Sequence, residues 1–202
     1  GTISNRVFVY VQDMAGAWTL QATLTPSDTS TPADFGIDVT IYGNTIAVGA
    51  FLQGPGRVYI FNRTGTTWSE TQILTNPDLE PGAWFGYSVA MNVDTLAVGS
   101  EWSAGPNNND QGAAFIYVRS GGVWTLQQKL VASDGASGDN LGYEIDIWGD
   151  YVVVGAPKNA SITSQSGAAY VFVRTGTTWN QQAKLIDPQG NGADLFGVCV
   201  SI

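Results

Sequence analysis

The stretch FGIDVTIYGNTIAVGA at residues 35–50 decides the fold of this chain, because the chain repeats it. Related stretches begin at Phe85 and Leu141, and a fourth opens at Phe196, each followed by glycine. A second marker is a tryptophan that recurs at intervals of 50, 56 and 55 residues. Its copies are Trp18, Trp68, Trp124 and Trp179. Two unrelated markers with one period predict a repeat architecture.

The markers also predict how the chain is divided. We interpret residues 1–202 as a single repeat array with a partial repeat at each end and three complete repeats between them. The predicted boundaries are 1–34, 35–84, 85–140, 141–195 and 196–202.

Each repeat contains four short strand patterns. In the first, Val39 and Ile41 alternate with polar residues, which indicates a half-buried strand. The second, at residues 45–48, is continuously apolar, which is typical of a central strand covered on both faces. The third is also apolar, and the fourth begins at the repeated tryptophan and turns polar, as exposed sheet edges do.

Four antiparallel strands in this sequence describe a propeller blade. The predicted fold class is therefore all-β, with β-propeller blades of four antiparallel strands in about four repeats of 50–56 residues. No helix is predicted. The extra residues of the second and third complete repeats are expected between their second and third strands.

Composition excludes several classes of partner. The formal charge is −9 with only eight Lys and Arg residues, which disfavours nucleic acid and anionic membrane surfaces. No apolar run approaches the roughly 20 residues that cross a bilayer, so membrane insertion is not expected. Only 12% of residues are charged, and an uncharged polar surface is common in secreted β-proteins. The expected location is extracellular or at the cell surface.

The chain offers little for catalysis. It has no histidine and one cysteine, Cys199, so the usual general base and any multi-thiolate metal site are missing. Asp38, Ser88, Glu144 and Cys199 share a register on successive first strands, and paired carboxylates such as Asp38 and Glu144 can hydrolyse glycosides. The repeat itself explains their placement. We therefore predict no enzyme activity, no catalytic residues, no cofactor and no metal site.

The motifs resemble the FG-GAP repeat of integrin-α-like β-propellers, in the form frequent in microbial secreted and surface proteins. The resemblance covers the whole chain and rests on Phe-Gly, a hairpin, Val-Gly-Ala, and a third strand ending in Arg-x-Gly-Thr-Thr-Trp. It implies a protein that binds others or builds surfaces. Integrin-type repeats often carry an Asp-rich calcium loop, whereas this chain has only short polar turns at 42–44, 92–94 and 148–150.

Two groups of tryptophan are expected. The four repeated tryptophans are predicted to pack between blades. Trp84 and Trp102 lie outside the repeat register on loops, and they are the better candidates for stacking on a sugar.

The loops that follow the second and fourth strands lie at one end of the blades and carry ten acidic residues. Candidate ligand residues there are Asp78, Asp134 and Asp139, for a cation or a polyol. The recurrence of Asp28, Asp78 and Asp134 at one register equally favours turn capping through bonds to the backbone. Two sequons, at Asn62 and Asn159, are candidate N-glycosylation sites on strand ends or loops.

The leading functional hypothesis is a non-enzymatic extracellular structural or binding module for protein or surface interaction. A carbohydrate-binding propeller is the first alternative, and a hydrolase that uses acidic loop residues is the second. The expected partner is a second copy, through the terminal strands at 7–11 and 196–201, or another extracellular protein or a glycan. Closure of one chain into a four-bladed ring, with Val9 and Val200 in one sheet, is the rival to self-association.

Overall fold

A computed structural model describes residues 5–28, 34–52, 54–105 and 110–202. These residues form 14 strands and no helix, so the all-β prediction is confirmed. The strands make one two-stranded sheet, the half-blade, and three four-stranded sheets, blades 1 to 3. All pairings within a sheet are antiparallel between consecutive strands.

The strand bounds follow the predicted order within each sheet. The half-blade contains β1 (Val7–Gln12) and β2 (Trp18–Leu24). Blade 1 contains β3 (Val39–Tyr42), β4 (Thr45–Ala50), β5 (Arg57–Thr64) and β6 (Thr67–Thr75). Blade 2 contains β7 (Phe85–Asn92), β8 (Thr95–Ser100), β9 (Ala113–Ser120) and β10 (Val123–Leu130). Blade 3 contains β11 (Ile145–Trp148), β12 (Tyr151–Ala156), β13 (Ala168–Thr175) and β14 (Thr178–Leu185).

The order fixes two ends for every blade. One end contains the hairpins that join the first strand to the second and the third strand to the fourth, and we call it the hairpin end. The other end contains the connections that follow the second and fourth strands, and we call it the loop end. The long connections of blades 2 and 3, at 101–112 and 157–167, follow the second strand, as the sequence predicts.

The repeated glycines are where neighbouring blades touch through their backbones. A Cβ placed on Gly99, at the end of β8, would lie 2.1 Å from the carbonyl oxygen of Gly142 in the next repeat. Within blade 3 the Gly142 N–H donates to the Gly155 oxygen at 3.0 Å. Parallel bridges join each blade to the next repeat, between Gly56 and Phe85, Gly112 and Leu141, and Gly167 and Phe196. The motif therefore encodes contact between blades as well as strands within them.

Apolar cores fill the spaces between blades, and two of the repeated tryptophans are buried there. Trp124 is 2% exposed and packs with Phe85 and Phe115, and Trp179 is equally buried in the next core. Trp68 is half-buried. The prediction is wrong for Trp18, which is 66% exposed because no described residue of an earlier blade covers the half-blade.

The ring is not closed within the described residues. The sheet of β1 contains β2 alone, so Val9 and Val200 do not share a sheet. Residues 197–202 form no strand; the Ser201 hydroxyl and the Ile202 N–H instead donate to Asp146, each at 2.9 Å. In the part of the chain that the structure describes, the strands therefore do not form a closed four-bladed ring.

One buried polar atom in the blade interfaces predicts a stabilising substitution. In two interfaces the tryptophan Nε1 donates to a glutamine on the preceding blade. The pairs are Trp68 with Gln21 at 2.9 Å and Trp179 with Gln127 at 2.8 Å. In the third, Thr71 stands at the glutamine position, and Trp124 Nε1 is buried without an acceptor in the described chain. We expect Thr71→Gln to raise the free energy of unfolding by about 1 kcal/mol, because it satisfies a buried donor. Denaturant melts measure this.

Gln72→Leu is the opposing control. The Gln72 side-chain amide donates to the Trp124 carbonyl at 2.7 Å and accepts from the Trp124 N–H at 2.8 Å. Gln72→Leu removes both hydrogen bonds and should lower the free energy of unfolding. A Thr71→Gln protein that is less stable than wild type would show that pairing the Trp124 Nε1–H stabilises the fold by less than the lost Thr71 contacts do.

Candidate functional site

The repeated aspartates at the loop end join neighbouring blades. Asp78 accepts a hydrogen bond from Lys129 Nζ at 2.6 Å, and Asp134 accepts one from Lys184 Nζ at the same distance. Asp28 forms an ion pair with Arg57. Each partner lies on the following blade, so these side chains link neighbouring blades. Asp134 also accepts a hydrogen bond from its own backbone N–H, and turn capping by Asp28 and Asp134 stays a prediction. Asn76, rather than Asp78, caps the turn, because its side chain accepts the Asp78 N–H at 2.9 Å.

The environment of Asp134 shows how firmly these links hold. Partial burial alone raises the pKa of a carboxyl group, yet hydrogen bonds from Lys184 and the Tyr170 hydroxyl outweigh it and lower the pKa of Asp134. Its two oxygens are therefore engaged by blade 3. Asp78 and Asp134 are part of the structure between blades, and their ligand role stays a prediction.

The structure corrects two further candidates. Asp139 is 4% exposed, and its carboxylate accepts bonds from the Ala136 N–H at 2.9 Å and Asn159 Nδ2 at 2.6 Å. It faces no solvent-borne ligand. Asn159 is buried to the same degree and its Nδ2 is taken, so a glycan does not fit on this sequon in the folded chain. Asn62 is only half-buried, and its glycosylation stays a prediction.

The carboxylate of Asp38 also has a structural role. Its two oxygens accept backbone N–H groups from Val39 at 2.8 Å and from Val89 in blade 2 at 2.7 Å. Burial raises the pKa of Asp38, and burial together with Asp38 and Asp146 raises that of Glu144. These hydrogen bonds account for Asp38 without catalysis.

A groove of about 450 Å³ lies at the hairpin end between blades 2 and 3. Its arginines are already paired: Arg119 Nε donates to Asp94 at 2.8 Å and Arg174 Nε to Asp150 at 2.7 Å. Each guanidinium also stacks over the tryptophan of its own blade. The groove is built from contacts between blades and offers no unpaired charge in the described residues.

An aromatic cluster joins the three blades at the loop end. Its members are Phe51, Trp84, Tyr87, Trp102 and Tyr143. Trp84 lies 5.0 Å from Phe51 and 6.1 Å from Trp102, and Tyr87 lies 5.2 Å from Tyr143, between ring centroids. Phe51 is buried, whereas the other four rings keep part of their surface in solvent. Such part-exposed Trp and Tyr rings are typical of binding surfaces.

Trp84 is held in an unfavourable backbone conformation. Its φ is 59°, in the left-handed region that bulky side chains rarely adopt. The same register is left-handed in every copy, where Asp34, Asn140 and Leu195 have φ of 64°, 60° and 55°. The fold therefore needs a left-handed residue here and accepts both polar and bulky side chains. Because the backbone does not dictate tryptophan, the role of the Trp84 ring lies in its contacts with the other aromatic residues.

Charged and polar side chains border the cluster. Glu101, beside Trp102, is 3% exposed, and its Oε2 accepts a hydrogen bond from Asn140 Nδ2 at 2.9 Å. Lys158 is exposed, and its Nζ lies 5.5 Å from the Trp102 ring centroid. Burial raises the pKa of Tyr87, and a hydrogen bond with Tyr143 adds to the shift. The surface thus combines flat rings with hydrogen-bonding groups.

Glu101 makes stability depend on pH. Burial raises its pKa from 4.5 to about 7, against the lowering effects of Asn140 and Lys158. Between these values the folded protein keeps a proton that the unfolded chain loses, so stability falls as the pH rises through this window. We expect Glu101→Gln to match wild type near pH 4 and to exceed it at pH 8 by up to about 3 kcal/mol, since one pKa unit is about 1.4 kcal/mol. Denaturant melts across this range measure the difference.

Other raised carboxyl pKa values remain in both proteins, so the difference between the two curves isolates Glu101. Curves that run parallel from pH 4 to pH 8 would show that Glu101 ionises normally.

Sequence reasoning found Trp84 and Trp102 and missed the other members of the cluster. Tyr87 and Tyr143 follow the Phe-Gly and Leu-Gly pairs at one register, and this recurrence was the available signal. Glu101 is one of the ten acidic loop residues, and nothing in its local sequence indicates that it is buried. Phe51 carried no sequence signal of its own.

No three His, Cys, Asp or Glu side chains in the described ranges are close enough to hold a metal ion. No helix that is long and apolar enough to cross a membrane occurs in that part of the chain.

Comparison with solved structures supports the fold. A crystal structure of a protein from Lactobacillus plantarum matches with a TM-score of 0.61 and 16% identity, covering 97% of this chain and 52% of that one. A structure of an S. cerevisiae Dbp5 variant bound to Nup159, a Gle1 variant, IP6 and ADP matches with a TM-score of 0.50 and 10% identity. That match covers 89% of this chain and 45% of the other. This chain thus spans about half the length of the structures it resembles.

Comparison with curated protein sequences gives no match. The sequence model of the FG-GAP repeat, however, matches three times, at residues 18–61, 68–117 and 124–172. These segments cover more than half of the chain and coincide with successive strand patterns in the structure. The resemblance noted from the motifs is therefore confirmed, and the chain belongs to the FG-GAP repeat family.

Proposed function

We propose that this chain is a non-enzymatic interaction module of an extracellular or cell-surface protein, and that the aromatic cluster is its ligand surface. The observation that carries the proposal is the cluster of part-exposed aromatic rings around Trp84, a side chain that the backbone does not require, since Asp34, Asn140 and Leu195 occupy the same left-handed register. The Trp84 ring contacts Phe51 and Trp102, so it extends one continuous surface across blades 1 and 2. Membership of the FG-GAP family supports an interaction role.

Two features favour binding over catalysis. The full sequence has no histidine. Glu101 is engaged by Asn140, and Asp38 by two backbone N–H groups, so neither carboxylate is poised to attack or to transfer a proton to a ligand. Turnover assays with glycoside substrates test the hydrolase alternative, and we expect no product.

Surface retention tests the main proposal. The labelled chain is applied to whole microbial cells and to extracellular-matrix extracts, and the bound fraction is measured by fluorescence. We expect wild type to be retained and Trp84→Asn with Trp102→Ala to lose most of that retention. Trp148→Ala is the matched control, because Trp148 is 67% exposed at the hairpin end, away from the cluster. Equal retention of all three proteins would refute the aromatic cluster as the ligand surface.

We also propose that a second copy of the chain covers the open face of the half-blade. Phe8 and Tyr10 are more than half exposed there, whereas Tyr59 and Phe61, at the same register of blade 1, are buried against the preceding sheet. Repetition of the interface between blades would bury them in the same way. Light scattering at micromolar concentration should give a mass above the monomer, and Phe8→Ser with Tyr10→Ser should reduce it. A monomeric wild type contradicts this proposal.

A further inference from the structure

We propose that the aromatic cluster binds a neutral glycan, an inference that rests on the proposed interaction function and names its ligand class. The ligand would lie on the exposed parts of Trp84, Trp102, Tyr87 and Tyr143, over the buried Phe51.

The geometry of the rings suits a sugar. Trp84 and Tyr87 are nearly parallel, at 19° with centroids 6.1 Å apart, and Trp102 stands edge-on beside Trp84 at 74°. A pyranose presents a flat face of C–H groups, which carry the positive polarisation that the negative face of an aromatic ring attracts. Rings on separate loops offer stacking positions for successive sugar units.

Polar groups for hydroxyls lie at the border of the rings. Lys158 has an exposed ammonium over Trp102 that can donate to a sugar hydroxyl. The part-exposed Tyr87 and Tyr143 add phenol hydroxyls, which both donate and accept hydrogen bonds. Glu101 and Asn140 are 3% and 0% exposed and bind each other, so they support the rings and do not contact the ligand.

Charge selects the class of glycan. The formal charge of the chain is −9, and Glu144 directly follows Tyr143 of the cluster. Sulfated or uronic acid polymers would be repelled by this field. Neutral hexose or N-acetylhexosamine polymers are not.

Isothermal calorimetry with soluble β-glucan, mannan and chitin oligosaccharides tests the inference, with heparin as the anionic comparison. We expect wild type to bind at least one neutral glycan, and Trp84→Asn and Trp102→Ala each to weaken that binding at least tenfold. Trp148→Ala should bind as wild type does. Heparin should not bind. Because asparagine already occupies the equivalent position in the next repeat, Trp84→Asn should keep the fold, which melting curves verify.

The outcomes separate the two proposals. Surface retention that depends on the cluster but is not displaced by any of the three neutral glycans, together with no calorimetric binding, would overturn the glycan inference and leave a protein ligand for the interaction module. Glycan binding that is unchanged in both cluster variants would also overturn it. If the wild-type chain is not retained on any surface, and the cluster variants behave as it does, the proposed function itself is refuted.

Discussion

Gly99→Ala should destabilise this protein by about 3 kcal/mol or more, although it adds a single methyl group. The new Cβ would lie 2.1 Å from the Gly142 oxygen and 2.2 Å from Ser88 Oγ. Ser88 Oγ also donates to that same oxygen at 3.0 Å, so the backbone of the next blade is held in place on both sides. Atoms of the backbone cannot move aside as a flexible side chain can. Chemical denaturation of wild type and variant measures the loss.

Gly65→Asn is the control for this experiment. Gly65 has a φ of 63°, a Cβ added there would have no neighbouring atom within 4 Å, and asparagine tolerates that conformation. Its cost should stay below about 1 kcal/mol. If both glycine substitutions cost the same, the repeated glycines serve turn conformation and not the approach of neighbouring blades.

Trp124→Ala should cost about 3–5 kcal/mol, the range for removal of a large aromatic side chain from a core. Trp124 is 2% exposed between blades 1 and 2, and the Arg119 guanidinium lies 5.3 Å from its ring centroid. The substitution removes both the packing and this stacking partner. The backbone hydrogen bonds to Gln72 remain, so the loss reports on the side chain.

Trp18→Ala is the matched control at the same register of the half-blade. Trp18 is 66% exposed in the single chain, so its removal should cost under about 1 kcal/mol at concentrations where the chain is monomeric, and more where a second copy covers the half-blade. A large cost for Trp18→Ala in the isolated chain would mean that something covers the half-blade face in solution, and light scattering on the same sample would identify a second copy. A small cost for Trp124→Ala would contradict the core between blades.

The candidate site shows the limit of reading residues one repeat at a time. Trp84 and Trp102 were identified because they break the repeat register, a feature visible in the sequence. Asp139 and Asn159 were misjudged, because their hydrogen bond to each other spans 20 residues and buries both. Burial of a polar side chain depends on a partner that a local pattern does not reveal.

The sequence by itself determined the repeat period, the strands and their order. The reason is that local patterns of apolar and polar residues encode each strand, and glycine with polar residues encodes each turn. It also determined the family, since the Phe-Gly and Val-Gly pairs recur at one register. Only the tertiary structure decided that Asp78 binds Lys129 in the next blade, and that Phe51 and Tyr87 meet at 5.2 Å. The physical reason is that these contacts depend on how one blade is placed against its neighbour, and that placement is set by backbone approach at the glycines and by the cores between blades.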